Sequence, residues 1–99
     1  MKKKRYANDI IPGEAFHPCE TVREELEAQG KTQSDLAKAS NLDKSFISRF
    51  MKGERAISAR FALALEEVLG IPAEFWIRLQ KGYESDLELI ELRKIKQAS

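Results

Sequence analysis

The chain has 99 residues, with 17 basic and 16 acidic side chains, 42% hydrophobic residues and a single cysteine. These values suit one small globular domain and exclude an internal disulfide, and no apolar run approaches the roughly 20 residues that a membrane helix needs. We therefore expect a cytoplasmic protein with no membrane partner, in which Cys19 is a small packing residue.

Three regions are expected: an N-terminal arm over 1–16, a compact domain over 17–84 and a helical extension over 85–99. The arm opens with the basic run KKKR at positions 2–5 and shows little periodicity after it. This run is expected either to make non-specific electrostatic contacts or to be only a solvated tail.

A first amphipathic helix is predicted from Pro18 to about Gln29. Proline is favoured in the first turn of a helix, and Val22 and Leu26 share one face. Gly30 then ends the helix, because glycine readily adopts the left-handed conformation of a helix C-terminus.

A second helix is predicted to begin after Thr32. Thr32 and Asp35 form the T-x-x-D pattern of a capping box, in which each side chain accepts a hydrogen bond from the other residue's amide. Leu36 and Ala37 then face a core. Asn41 ends this helix in a tight turn, since asparagine also enters the left-handed region readily.

A third, shorter helix is expected after the turn, capped by Asp43 and closed by Gly53. Ile47, Phe50 and Met51 recur at three- and four-residue spacing and bury one face. The other face is basic and rich in donors; its residues are Lys44, Ser45, Ser48, Arg49 and Lys52. Two short helices of this kind are typical of a helix-turn-helix whose second helix reads bases in a DNA major groove.

Two further helical segments are predicted. Ser58 caps a fourth helix that ends at Gly70, and Pro72 opens a fifth. Helical spacing of apolar residues continues to the end of the chain, with a weak break expected around 82–86. The fold class is therefore all-α, with five to six helices and a C-terminal helical extension.

Positive charge is concentrated where the helix-turn-helix is predicted. Residues 31–60 hold seven basic and three acidic side chains, whereas 1–30 hold five and six and 61–99 hold five and seven. Attraction to DNA phosphates is screened over roughly 8 Å at physiological salt, so this local excess matters more than the net charge.

The segment 32–53 resembles the helix-turn-helix of lambda-repressor and Cro-type regulators, the XRE family, and 11–83 resembles its HigA (VapI) antitoxin branch. Three further pieces carry the resemblance: HPCETVREELEAQGKTQ (17–33), GERAIS (53–58) and LGIPAEFWIRLQKGYE (69–84). The P-x-E-F-W-x-x-L-Q pattern from Pro72 to Gln80 is the most specific of them. The resemblance implies a lambda-repressor-like domain.

It also implies an antitoxin of a type II toxin–antitoxin module, which represses its own operon and neutralises a HigB-like, RelE-like mRNA-cleaving toxin. The residues predicted to contact bases are Lys44, Ser45, Ser48 and Arg49. Those predicted to contact the DNA backbone are Lys31, Gln33, Ser34, Lys52 and Arg55. Phe46 is bulkier than the Thr or Ser common at its position in the family, which predicts a changed docking depth.

A homodimer is expected, because helix-turn-helix proteins generally read two half-sites of a palindromic operator as two-fold dimers. The C-terminal part carries more apolar surface than a small domain can readily cover. Its predicted dimer or partner interface consists of Trp76, Leu79, Tyr83, Leu87 and Ile90. An internal packing helix is the alternative.

Other functions have less support in the sequence. His17 is expected to cap a helix or lie on the surface, and a zinc site built on His17, Cys19 and Glu20 lacks a second ligand cluster. With no phosphate loop and no paired carboxylates, we expect no enzyme activity, no cofactor and no small-molecule substrate. Two alternatives stay open: a stand-alone transcriptional regulator without a toxin, and a helical protein-interaction adaptor.

Overall fold

The structure, a computed structural model, describes residues 13–98, and in this range the chain forms five helices and no strand. The helices are α1 (Cys19–Gln29), α2 (Gln33–Ser40), α3 (Lys44–Met51), α4 (Ala59–Leu69) and α5 (Ala73–Ala98). The all-α fold class is confirmed. The basic run at 2–5 and most of the expected N-terminal arm lie outside the described residues.

The predicted ends of α1 and α4 and the predicted start of α4 are confirmed. α1 ends at Gly30 and α4 at Gly70, both in the left-handed region. At the start of α4, the Phe61 amide donates to Ser58 Oγ at 3.2 Å. Each of these features depends on residues that are close in sequence, which is why composition and spacing predicted them.

Thr32 and Asp35 form the predicted capping box at the start of α2. The Asp35 amide donates to Thr32 Oγ1 at 3.2 Å, and the Thr32 amide donates to Asp35 Oδ2 at 2.8 Å. Two hydrogen bonds to the Asp35 carboxylate hold its pKa below the ordinary value. The larger effect comes from the Thr32 backbone amide and the smaller one from the Thr32 hydroxyl. The ionised form of Asp35 is therefore the form that the fold favours.

This capping box predicts an acid-sensitive contribution to stability. The Asp35 pKa is lower in the folded chain than in the unfolded one, so the ionised carboxylate stabilises the fold above its unfolded-state pKa. This stability is lost as the pH falls through the folded-state pKa. We expect Asp35→Asn to be less stable than the wild type at neutral pH, with the difference shrinking in acid. Urea denaturation of both proteins across this range measures it, and a difference independent of pH would contradict a role for the charge.

An apolar core brings the helices together. α2 packs against α3 and α4, α1 packs against the same two helices, and α5 packs against α4. The largest wholly buried side chains include Trp76, Phe50, Phe61, Leu36, Ile47, Leu65 and Val22. Cys19 is confirmed as a packing residue, because it is buried and its burial raises the pKa of the thiol.

Trp76 corrects one expectation. We expected it at a dimer or partner interface, but its side chain is 0% exposed within this chain. Trp76 lies in the first turns of α5, which pack against α4, and its Nε1 donates to Ile71 O at 3.1 Å. The ring therefore belongs to the core of its own domain.

α5 also differs from the prediction, because it continues through residues 82–86 without a break. A glycine in a helix interior costs only about 1 kcal/mol, which the surrounding helix readily accommodates. Gln80 Nε2 donates to Glu84 Oε2 at 2.9 Å, and this bond spans Gly82 along the helix surface. The domain and its C-terminal extension thus share one helix.

Candidate nucleic-acid interface

The turn between α2 and α3 is centred on Asn41, whose backbone is left-handed as predicted, with φ 61° and ψ 24°. Ser40 beside it is buried, and its hydroxyl donates to Ala37 O at 3.4 Å and accepts from the Leu42 amide at 3.2 Å. The structure shows that its hydroxyl closes the turn, a local role that serine often takes.

The start of α3 requires a smaller correction. Asp43 lies at the N-cap position with an extended backbone, but its side chain makes no capping hydrogen bond. Its carbonyl instead accepts from the amides of Phe46 and Ile47 at 3.1 and 3.2 Å. This short helix is therefore held by its buried face rather than by a side-chain cap.

That buried face agrees with the prediction, since Ile47, Phe50 and Met51 are all buried. Phe46 is half-buried, and its ring meets the Phe61 ring edge-on, with centroids 5.6 Å apart. The Phe46 ring therefore packs against α4, and its effect on the docking depth of α3 stays a prediction.

The opposite face of α3 is open to solvent. All four residues predicted to contact bases are exposed there, namely Lys44, Ser45, Ser48 and Arg49. At 3.6 residues per turn their spacing places them along one side of the helix, away from Ile47 and Phe50. The structure thus presents one contiguous surface of two cations and two hydroxyls, a donor set suited to base edges and phosphates.

The residues predicted to contact the DNA backbone lie in the chain segments that flank this surface. Lys31, Gln33 and Ser34 are exposed around the start of α2, and Lys52 and Arg55 are exposed after α3. The first-turn amides of a helix attract anions, which suits phosphate contacts for Gln33 and Ser34.

Two side chains from the α1 region hold the end of α3 and the loop after it. Arg23 Nη2 donates to Met51 O at 2.6 Å in the last turn of α3. His17 Nδ1 accepts from the Cys19 amide at 2.9 Å, which confirms His17 as a helix cap. Its Nε2 lies 2.9 Å from Arg55 O, and since Nδ1 is the acceptor, the ring proton on Nε2 is donated to that carbonyl. Sequence reasoning missed the bonds to Met51 and Arg55, which join residues far apart in the chain.

The part of the chain that the structure describes contains neither a membrane-spanning helix nor a candidate metal site. No helix among residues 13–98 is long and apolar enough to cross a membrane. In the same range, no group of three or more His, Cys, Asp or Glu residues is placed to hold a metal ion.

Two short helices joined by a tight turn, the second with one buried and one open basic face, define the helix-turn-helix class of proteins. The Helix-turn-helix family model matches residues 22–76, and the chain belongs to this family. This match covers α2, α3, α4 and nearly all of the domain core.

The chain is similar to Virulence-associated protein I of Dichelobacter nodosus, with 37% identity over 81 residues, covering 81% of this chain and 73% of the relative. It is also similar to the structure of an addiction module antidote protein of a HigA family from Coxiella burnetii, with 30% identity and a TM-score of 0.72 over 87% of this chain and 96% of that one. The structure of Pseudomonas aeruginosa antitoxin HigA with the higBA promoter matches at 28% identity and a TM-score of 0.68, covering 86% and 91% of the two chains. The resemblance to HigA-type antitoxins is thus confirmed.

Proposed function

We propose that this protein is a sequence-specific DNA-binding antitoxin of a type II toxin–antitoxin module, and that it represses its own operon. The observation that carries this proposal is the exposed donor surface of α3. Its buried face and the Asn41 turn hold the helix in one orientation, and Lys and Arg donors suit guanine O6 and N7. The solved antitoxin HigA with the higBA promoter supports promoter DNA as the ligand.

In this mechanism α3, the recognition helix, enters the major groove. Lys44, Ser45, Ser48 and Arg49 face base edges, while the exposed residues around the start of α2 and after α3 contact the flanking phosphates. Phosphate contacts set the register of the protein on the duplex, and base contacts set its sequence preference. RNA polymerase is then excluded wherever the operator overlaps the promoter.

Fluorescence anisotropy tests the DNA-binding part of the proposal. The wild-type protein is titrated into a labelled duplex from the region upstream of its own operon, and into a shuffled duplex of equal length and composition. We expect a preference of at least about 10³-fold for the upstream duplex at physiological salt. Equal affinities would contradict a specific repressor, and no binding to either duplex would favour the interaction-adaptor alternative.

We also propose that the protein acts as a homodimer through α5. Leu79, Tyr83, Leu87 and Ile90 follow one another at helical spacing and share one face. Leu79 and Tyr83 are half-buried within the chain, whereas Leu87 is 45% exposed. The outer part of this face, around Leu87 and Ile90, would contact a second copy of the chain. The resulting dimer would bind two half-sites about 34 Å apart.

Leu87→Lys is predicted to convert the dimer to a monomer, because a lysine ammonium would have to lose its hydration to lie between two apolar helix faces. Leu92→Lys is the matched control, since Leu92 is 54% exposed on a different face of the same helix. Light scattering after size-exclusion chromatography gives the mass of each variant. A monomer from Leu92→Lys together with a dimer from Leu87→Lys would place the interface on the other face.

The antitoxin part of the proposal is supported by the likeness to HigA-type proteins. It is tested by co-expressing the tagged chain with the reading frame adjacent to it. We expect a HigB-like, RelE-like neighbour to co-purify and its growth arrest to be relieved. A chain that purifies alone and leaves growth arrested would contradict the antitoxin role and favour the stand-alone regulator.

A further inference from the structure

The loop between α3 and α4, residues 52–58, joins the recognition helix to the rest of the domain. It carries Arg55, a proposed DNA-backbone contact, whose side chain is exposed and whose Nη1 donates to Glu54 O at 3.0 Å. Ile57 near its end is buried. The position of Arg55 relative to α3 therefore depends on what holds the peptide groups of this loop.

His17 holds the loop from the α1 side. Both ring nitrogens are used, because Nδ1 accepts from the Cys19 amide and Nε2 donates to the Arg55 carbonyl, each at 2.9 Å. The ring also packs edge-on between Phe50 and Tyr83, at centroid distances of 5.3 and 5.0 Å. These contacts hold the imidazole in the one orientation that reaches the loop.

Gln80 holds the same loop from α5. Its side chain is 6% exposed, and its Oε1 accepts from the Ile57 amide at 2.9 Å. Its Nε2 donates to Glu84 Oε2 at 2.9 Å, which leaves the amide in a single orientation with the oxygen toward the loop. A buried backbone amide such as that of Ile57 needs an acceptor, and the Gln80 side chain supplies one.

We propose that His17 and Gln80 are positioning residues for DNA binding, which clamp the Arg55 carbonyl and the Ile57 amide and so preorganise Arg55 beside the recognition helix. A loop that is already ordered loses less conformational freedom when it meets the DNA backbone. The inference rests on the proposed DNA-binding function. His17 lies in the first piece of the sequence resemblance (17–33) and Gln80 in the last (69–84). Under this proposal both residues position the same loop.

Two substitutions remove one clamp each while keeping most of the local packing. His17→Asn keeps a short acceptor for the Cys19 amide but is too short to reach Arg55 O, whereas His17→Gln places a side-chain NH₂ near the position of Nε2. Gln80→Met has a similar length and no acceptor for the Ile57 amide. Glu84→Gln is the matched control on α5, because a glutamine still accepts from Gln80 Nε2.

Anisotropy titrations over a range of salt concentrations provide the readout, on protein shown to be folded by circular dichroism. Arg55→Ala should lower the salt slope by about one, as expected for a lost phosphate contact. His17→Asn and Gln80→Met should lower it similarly and weaken operator binding roughly three- to tenfold. His17→Gln should restore much of the lost operator affinity, and Glu84→Gln should bind the operator like the wild type. In an Arg55→Ala background, His17→Asn should weaken operator binding little further.

Salt slopes that stay unchanged in folded His17→Asn and Gln80→Met, or effects that add fully to Arg55→Ala, would overturn the positioning role. If Gln80→Met does not fold, the His17→Asn and His17→Gln pair decides the question by itself. A wild-type protein that shows no preference for its upstream duplex overturns the proposed function and the clamp together. Specific wild-type binding with unchanged slopes in the variants overturns the clamp alone.

Discussion

Replacing Trp76 with alanine is expected to lower the free energy of unfolding by about 3–5 kcal/mol, the range for truncating a large buried aromatic side chain. The ring is 0% exposed, donates to Ile71 O and meets the Phe75 ring edge-on with centroids 5.0 Å apart. Small domains are stable by only about 5–15 kcal/mol in total, so the variant should be unfolded in a large fraction of molecules on mild heating.

Urea denaturation followed by far-ultraviolet circular dichroism measures this effect. Leu63→Ala is the matched control, because Leu63 lies on neighbouring α4 and is 60% exposed, so its truncation should change stability little. Trp76→Phe should fall between the two, since it keeps most of the ring volume and loses the hydrogen bond to Ile71. If Trp76→Ala were as stable as Leu63→Ala, the core position of Trp76 would be contradicted. The dimer or partner interface expected from the sequence would then be favoured.

Replacing Arg49 with alanine is expected to weaken binding to the operator by about 1–3 kcal/mol, or roughly 5- to 150-fold, and to relax the preference at one base pair. Arg49 is exposed on the open face of α3, one residue before buried Phe50. A guanidinium at this position suits two hydrogen bonds to a guanine, and alanine makes neither. The fold should not change, because the side chain contributes nothing to the core.

Lys52→Ala is the comparison for this experiment, since Lys52 is exposed just after α3 and is proposed to contact a phosphate. Its loss should weaken operator and shuffled duplexes alike and reduce the salt slope by about one. The two variants are compared by anisotropy on the operator, on single-base variants of it and on the shuffled duplex. Equal weakening of every duplex by Arg49→Ala would show that Arg49, too, contacts only the backbone.

Much of the fold could be predicted because the deciding interactions are short in sequence. The capping box joins Thr32 to Asp35, the α2–α3 turn depends on Asn41, and Gly70 ends α4 where its left-handed backbone is required. The open face of α3 follows from the spacing of its apolar residues alone. Its contacts to bases stay a prediction that the DNA experiments above address.

The features that sequence reasoning missed join residues that are distant in the chain. Arg23 reaches Met51 across 28 residues, His17 reaches Arg55 across 38, and Gln80 reaches Ile57 across 23. No local pattern specifies such a pair, because each partner is a backbone group that every residue type carries. The motif that contains Gln80 marked the residue as diagnostic without indicating what it binds.

The sequence by itself determined most of the helix ends, that two of the helices form a helix-turn-helix, and which side of α3 remains polar. Only the tertiary structure decided that Trp76 is in the core while Leu87 is exposed, although both continue the same helical spacing. Periodicity defines a face relative to the axis of its own helix. What covers that face depends on how far the neighbouring helix extends along it. The tertiary structure likewise brought His17 and Gln80 to the loop beside the recognition helix, since contacts across 38 and 23 residues form only when all of these helices pack.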